Sequence, residues 1–289
     1  MMHKTCRTGW VTWIAGSALL AGAAVGQDKT SLVVDGSTTV GPIAKQFAEY
    51  YMSANKGVDI TVAESGSGNG AKSLINGTCD VADMSRFMEE KEFKAAAEKG
   101  IMPVAHVVAL DGIAIIVHPA NPVQNLTVEQ VRDIYSGKIK NWKEVGGPDK
   151  PIVKISRDTN SGTYETFESL VMHKEKIASD AEYVGSNGQA HQRVKSTEGA
   201  IGYVGLAFLQ GVKALSINNI APDQAAVASG HYPIARPLFM FTNGYPKLGT
   251  HLHAFVTLHL TPKGQEMIES LGYVPVTSYP AAGGGGAQK

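Results

Sequence analysis

Arg157 closes a strand-like run, Ile152-Val153-Lys154-Ile155-Ser156, and opens the segment Asp158-Thr159-Asn160-Ser161-Gly162-Thr163, after which Tyr164–Leu170 reads as a helix. Ser161 or Asn160 can cap that helix, leaving the first-turn N–H groups with no intrahelical partner. A guanidinium beside such a helix start supplies donors and positive potential together, which is the chemistry of tetrahedral oxyanion capture. Two other turns have the same character: Gly36-Ser37-Thr38-Thr39, and Ser65-Gly66-Ser67-Gly68-Asn69-Gly70. Both follow strand-like runs. Three donor-rich turns point to one anion held from several sides.

Other chemistries fit less well. Gly66–Ser73 matches a nucleotide P-loop except that Ala71 stands where the second glycine is required, and no magnesium-binding acidic strand accompanies it. The shared feature is backbone N–H groups cradling an oxyanion. A phosphatase would need Ser67 or Ser161 as nucleophile, yet neither has a spaced His/Asp set or a metal-ligand cluster. The chain therefore reads as a binder and not an enzyme, with no cofactor. His251, His253 and His259 have i, i+2 spacing on an apparent strand, which reads as partly exposed histidines ahead of a metal site.

The elements that must position these turns alternate. Leu32–Asp35 reads as a strand, Pro42–Met52 as a helix with Ile43, Phe47 and Tyr50 on one face, and Val58–Ala63 as a strand. A helix over Gly70–Asn76 and a strand over Val81–Arg86 complete a βαβαβ order. This predicts an α/β domain with ligands outside the carboxyl ends of its strands. Val104–Val117 reads as two apolar strands interrupted by Asp111-Gly112, and His118–Pro122 as a crossover between lobes. A second α/β lobe follows: helix Val128–Tyr135, strand Ile152–Ile155, helix Tyr164–Met172 and strand Ala200–Val204. Pro233–Thr242 then returns to the first lobe, which a helix near Lys263–Leu271 and Tyr273–Val276 complete. The expected limits are a signal peptide at 1–26, a first lobe at 27–117 and 237–280, a second lobe at 118–236, and a disordered tail at 281–289.

The first residues address the chain. Lys4 and Arg7 precede an uncharged run from Trp10 to Val25, and Ala24-Val25-Gly26 offers small residues for cleavage. This is the pattern of a secretory signal peptide, too short to remain as a membrane span. Cys6 precedes the apolar run, so it is not a lipid-bearing cysteine. Export without lipidation predicts a periplasmic protein. Cys79 is then the single cysteine left, without an intrachain partner and suited to burial. The whole chain has 26 basic and 26 acidic residues; removing Lys4 and Arg7 leaves 24 against 26, a net charge of −2. No basic excess favours nucleic acid or an anionic membrane surface, so an anion must be held by local geometry.

Taken in order, these blocks resemble the periplasmic phosphate-binding proteins of phosphate-specific ABC transporters, which have a two-lobed type II periplasmic binding-protein fold. The resemblance runs from about Leu32 to Val276. Besides the three turns it includes Leu126-Thr127, Asp133–Ile139, Asn141-Trp142, Gly199–Val204, Tyr232-Pro233-Ile234 and Arg236-Pro237-Leu238. It implies phosphate ligands at Thr38 and Thr39 in the first turn, Ser67 in the second, and Arg157, Ser161, Gly162 and Thr163 in the third. One branch of the family carries a carboxylate after the next strand, which accepts the proton of hydrogen phosphate. This chain has Met84-Ser85-Arg86 there, as other members do, which implies Ser85 and Arg86 as ligands. Asp158 is the nearest alternative proton acceptor, with Glu64 and Asp83 behind it; Asp158 can equally orient Arg157 or cap the helix. The resemblance further implies a monomer that hands inorganic phosphate to a membrane permease. Sulfate, tungstate and molybdate remain the alternative oxyanions.

Overall fold

The computed structural model describes residues 29–277; the expected signal peptide and C-terminal tail lie outside them. The described residues begin with β1 (Ser31–Gly36), α1 (Gly41–Ala54), β2 (Asp59–Ala63), α2 (Ser67–Ile75), β3 (Val81–Met84) and α3 (Glu90–Glu98). A long strand, β4 (Pro103–Val117), leads through β5 (Asn125–Leu126) and α4 (Val128–Tyr135) to β6 (Val153–Arg157) and α5 (Gly162–Phe167). Then come β7 (Glu182–Val184), α6 (Asn187–Lys195), β8 (Ala200–Gly205), β9 (Lys213–Ala214), β10 (Ser216–Ile217) and α7 (Gln224–Ala228). The chain returns through β11 (Ala235–Asn243), α8 (His251–Val256), α9 (Pro262–Ser270) and β12 (Val274–Pro275).

The main sheet has the order β2-β1-β3-β11-β4-β8-β6-β7. β1 pairs in parallel with β2 and β3, and β6 in parallel with β7 and β8. Two parallel halves are thus joined through the antiparallel strands β11 and β4. Parallel strands are covered on both faces and read as continuous apolar runs, as β8 does with all its residues buried. Apolar side chains gather separately in the two halves. One core runs from Ile113 to Ile234 with Val274, while Leu32, Phe47, Val108, Leu238 and Tyr273 belong to another and Leu74, Met84 and Phe241 to a third. This is the two-lobed α/β arrangement the sequence predicts.

Four local expectations differ. Val104–Val117 is one strand, not two, because Asp111 lies opposite Arg236 of β11 and the cross-strand ion pair lets a charge stand inside an apolar ladder. On α1 the buried tyrosine is Tyr51, four residues beyond Phe47, and Tyr50 faces solvent. Helix α5 gives way at Glu168–Met172 to a turn of π-helix. His251 and His253 lie on α8 and His259 on the 3-10 turn after it, so helical periodicity replaces strand alternation there. Cys79 is buried and free, its thiol pushed up to about 12 mainly by burial. No helix among the described residues is long and apolar enough to cross a membrane.

Asp83 on β3 is fully buried, and neither carboxylate oxygen has a partner. Burial first, then the charges of Asp35 and Glu64, raise its pKa well above the usual carboxylate range. A raised pKa means the unfolded chain releases this proton at lower pH than the folded one. Stability is then lost from about pH 4 upward, at up to about 1.4 kcal/mol per pH unit, until the folded-state pKa is passed. Asp83→Asn removes that loss. Its urea midpoint is expected to gain on the parent between pH 4 and pH 8; a gap that stays constant with pH would contradict the neutral carboxyl.

Candidate functional site

Glycine geometry brings the first two turns together. Gly36 has φ 138°, and a Cβ there would stand 2.2 Å from the Asp83 carbonyl oxygen, so the chain can leave β1 this closely only without a side chain. Ser37 Oγ accepts from the N–H groups of Thr39 and Val40 and so holds the turn, leaving Thr38 and Thr39 to carry the free chemistry. Gly66, at φ 98°, donates its N–H to the Gly36 carbonyl at 2.7 Å. Ser67 Oγ accepts from Ser85 N–H at 3.1 Å and lies 3.3 Å from Ser85 Oγ. The ends of β1 and β3 and the start of α2 therefore form one polar wall.

The facing wall comes from β6 and α5. Arg157 ends β6 and is 1 % exposed. Its Nε donates to the Val184 carbonyl at 3.3 Å, and its Nη2 to Gly185 O at 3.0 Å and Thr38 Oγ1 at 3.2 Å. Its Nη1 is buried with no partner. Burial lowers its pKa to about 10, which still leaves it charged at neutral pH. Ser161 caps α5 by accepting from Tyr164 N–H at 3.3 Å. A Cβ on Gly162 would sit 2.6 Å from Ser67 Oγ and 2.7 Å from Ser85 Oγ, so the walls meet because residue 162 is glycine. Thr163 Oγ1 lies 3.1 Å from Thr39 Oγ1.

Thr38, Thr39, Ser67, Ser85, Arg157, Ser161, Gly162 and Thr163 thus line one buried cluster. Arg86 adjoins it but is turned away. Its Nη1 and Nη2 grip the Glu92 carboxylate at 2.7 and 2.8 Å, and its Nε faces Glu165. Burial, against the pull of Arg86, raises Glu165 to about 7. Asp158 Oδ1 accepts from Asn160 N–H at 3.1 Å and so braces the turn. A cavity of about 450 Å³ opens next to the cluster, lined by Arg86, Phe87, Glu165, Leu170, Arg236 and Phe239 among others.

A supporting set, Arg236, Tyr203 and Asn187, stands behind the cluster without having been expected from the sequence. Arg236 pairs with Asp111 at 3.0 Å and also donates to Thr163 Oγ1 at 2.9 Å, Thr39 Oγ1 at 3.4 Å and the Ser85 carbonyl at 3.1 Å. Burial opposes both charges, raising the Asp111 pKa and lowering that of Arg236, and each is sustained by the other. Tyr203 stacks on Phe167 at 4.0 Å and its hydroxyl also accepts from Arg157 N–H at 3.0 Å. Asn187, the first residue of α6, donates to both Thr38 and Thr39. Arg236-Pro237-Leu238 stands out in the sequence as a block; Asn187 has no local signal beyond the Ser186 cap before it.

The charge inventory is lopsided. Arg86 has Glu92 and Glu165, Arg236 has Asp111, and the N–H groups of Arg157 reach only neutral oxygens. Of these three cations, Arg157 makes no ion pair with a carboxylate among the described residues. Neither Ser67 nor Ser161 has a histidine or carboxylate in hydrogen-bonding reach among the described residues. No group of three or more His, Cys, Asp or Glu side chains there is placed to hold a metal.

A two-lobed α/β protein with a buried, donor-rich polar cluster between its halves belongs to a recognisable class. Residues 21–262 match the model of the PBP superfamily domain. The phosphate-binding protein PstS of Bacillus subtilis is 33 % identical over 259 residues, covering 88 % of this chain and 84 % of the relative. The PstS of Borreliella burgdorferi is 30 % identical, covering 86 % and 92 %. Among solved structures, a candidate phosphate ABC transporter substrate-binding protein of Clostridium perfringens with bound phosphate superposes with a TM-score of 0.79. It is 30 % identical and covers 86 % of this chain and 100 % of its own. The chain belongs to the PBP superfamily and, within it, to the family of PstS phosphate-binding proteins.

Proposed function

We propose that this protein is a solute-binding protein that captures inorganic phosphate between its lobes and delivers it to the permease of an ABC transporter. The observation that carries the reading is the buried Arg157 guanidinium, whose Nη1 has no partner and which makes no ion pair with a carboxylate among the described residues. A dianion among Thr38, Thr39, Ser67, Ser85, Arg157, Ser161, Gly162 and Thr163 supplies the missing countercharge and accepts their donors. No covalent step is involved. Closure of the lobes desolvates the anion while these groups replace its water.

The proton of hydrogen phosphate needs an acceptor, and sulfate has no proton to offer. Asp158 Oδ1 accepts from Asn160 N–H and its Oδ2 stays open, which keeps it as the alternative acceptor, while either hydroxyl of the Ser67–Ser85 pair can be the donor to the other. The hydroxyl that donates within the pair is left with lone pairs for the ligand, which assigns proton recognition to Ser67 and Ser85. Arg86 serves to join the post-β3 segment to α5 through Glu165. The expected lobe limits, 118 and 236, fall at the end of β4 and the start of β11, the two strands shared between the halves. Export to the periplasm as an unlipidated monomer completes the reading. Equilibrium dialysis of the mature, ligand-stripped chain against radiolabelled phosphate tests it: one phosphate per chain is expected, and no retention would overturn it.

A further inference from the structure

Asn187 is fully buried behind the two threonines of the first turn. Its Oδ1 accepts from Gly205 N–H at 3.2 Å, which fixes which way the side-chain amide faces. Its Nδ2 then donates to Thr38 Oγ1 at 3.0 Å and Thr39 Oγ1 at 2.9 Å, and its backbone N–H reaches Thr38 Oγ1 at 3.4 Å. Arg157 Nη2 adds a donor to Thr38, and Arg236 Nη2 a donor to Thr39. A hydroxyl has two acceptor lone pairs and one proton. Both lone pairs of Thr38 are therefore taken, and its proton must leave the cluster of donors. Thr39, filled in the same way, donates to Thr163 Oγ1, which also accepts from Arg236, so the proton of Thr163 is turned outward in its place.

We propose that Asn187 sets the hydrogen-bond polarity of the site, obliging the threonine hydroxyls to act as donors toward the anion without touching it. Asn187 is thus a positioning residue, and the role rests on the phosphate-binding reading above. An acceptor at this place would reverse the relay. In Asn187→Asp, one carboxylate oxygen keeps the Gly205 N–H and the other takes the Thr38 and Thr39 protons. The charged groups facing that position are Arg157 on β6, Arg236 on β11 and, beyond Arg236, Asp111 on β4; Tyr203 and Tyr273 are the titratable neighbours. The two cations welcome the new charge, so it serves as an internal counterion for Arg157 in place of the ligand.

The test follows from that opposition of signs. Parent and Asn187→Asp are titrated calorimetrically with inorganic phosphate, and their melting temperatures are measured without it. The variant is expected to bind phosphate at least about 100-fold more weakly, from lost donors and added repulsion, while melting no lower than the parent. A merely structural role would lower stability and affinity together, and that result overturns the proposal, as does an affinity within about threefold of the parent. Asn187→Ala gives a second route should the aspartate variant not fold. Combined with Thr38→Val and Thr39→Val, it should cost little beyond the threonine changes alone; additive losses would mean that Asn187 acts otherwise. If the parent itself binds no phosphate, the site reading falls and this inference with it.

Discussion

Arg157→Ala is expected to weaken phosphate binding by about 2–5 kcal/mol, a factor of roughly 30 to 5,000 in Kd. Among the described residues the guanidinium is the site's one cation whose hydrogen bonds all go to neutral oxygens, so it is the direct countercharge to a bound dianion. Folded stability should behave differently. Without ligand, Arg157 is a buried charge unpaired with a carboxylate, so its removal should not unfold the protein. Phosphate should raise the melting temperature of the parent and leave that of the variant almost unmoved, as linkage requires when binding is lost. Calorimetry and thermal melting of both proteins, with and without phosphate, check the two halves. Unchanged affinity would remove Arg157 from the site.

Asp111→Ala should have the largest effect on stability. Asp111 is fully buried and accepts from Arg236 Nε at 3.2 Å, Arg236 Nη2 at 3.0 Å and Leu206 N–H at 3.0 Å. Removing one member of a buried pair strands the other, at a cost of about 3–5 kcal/mol. Replacing both, as in Asp111→Leu with Arg236→Met, should recover much of the loss, because no charge is then left in the apolar interior. Phosphate binding should not recover with it, since Thr39 and Thr163 lose the donor that fixes their hydroxyls. Urea unfolding of the single and double variants measures this. A single-variant loss under about 1 kcal/mol, or a double variant no more stable than the single, would contradict the pairing.

What could be read from the sequence was local. The strand–turn–helix order, the glycines at 36 and 66, and the Arg157-to-Thr163 segment each carry their signal within a few residues. What could not be read is long-range. Asp111-Gly112 resembles a break in a strand until Arg236 is known to stand across the ladder, 125 residues later in the chain. Asn187 reaches Thr38 over 149 positions, and nothing near it marks the contact. Arg86 is the informative case. An arginine beside a donor-rich turn looks like a ligand, yet in the folded chain Glu92 and Glu165 occupy its guanidinium. Residue type located the cationic surroundings, whereas the choice of which cation lacks a partner depends on the whole fold.

The most direct measurement is calorimetric titration of the ligand-stripped mature protein with phosphate, repeated in equimolar sulfate. The expected result is one phosphate per chain, with an isotherm that sulfate leaves in place because only hydrogen phosphate can give a proton to the Ser67–Ser85 pair. Absence of phosphate binding, or its displacement by sulfate, would contradict the account.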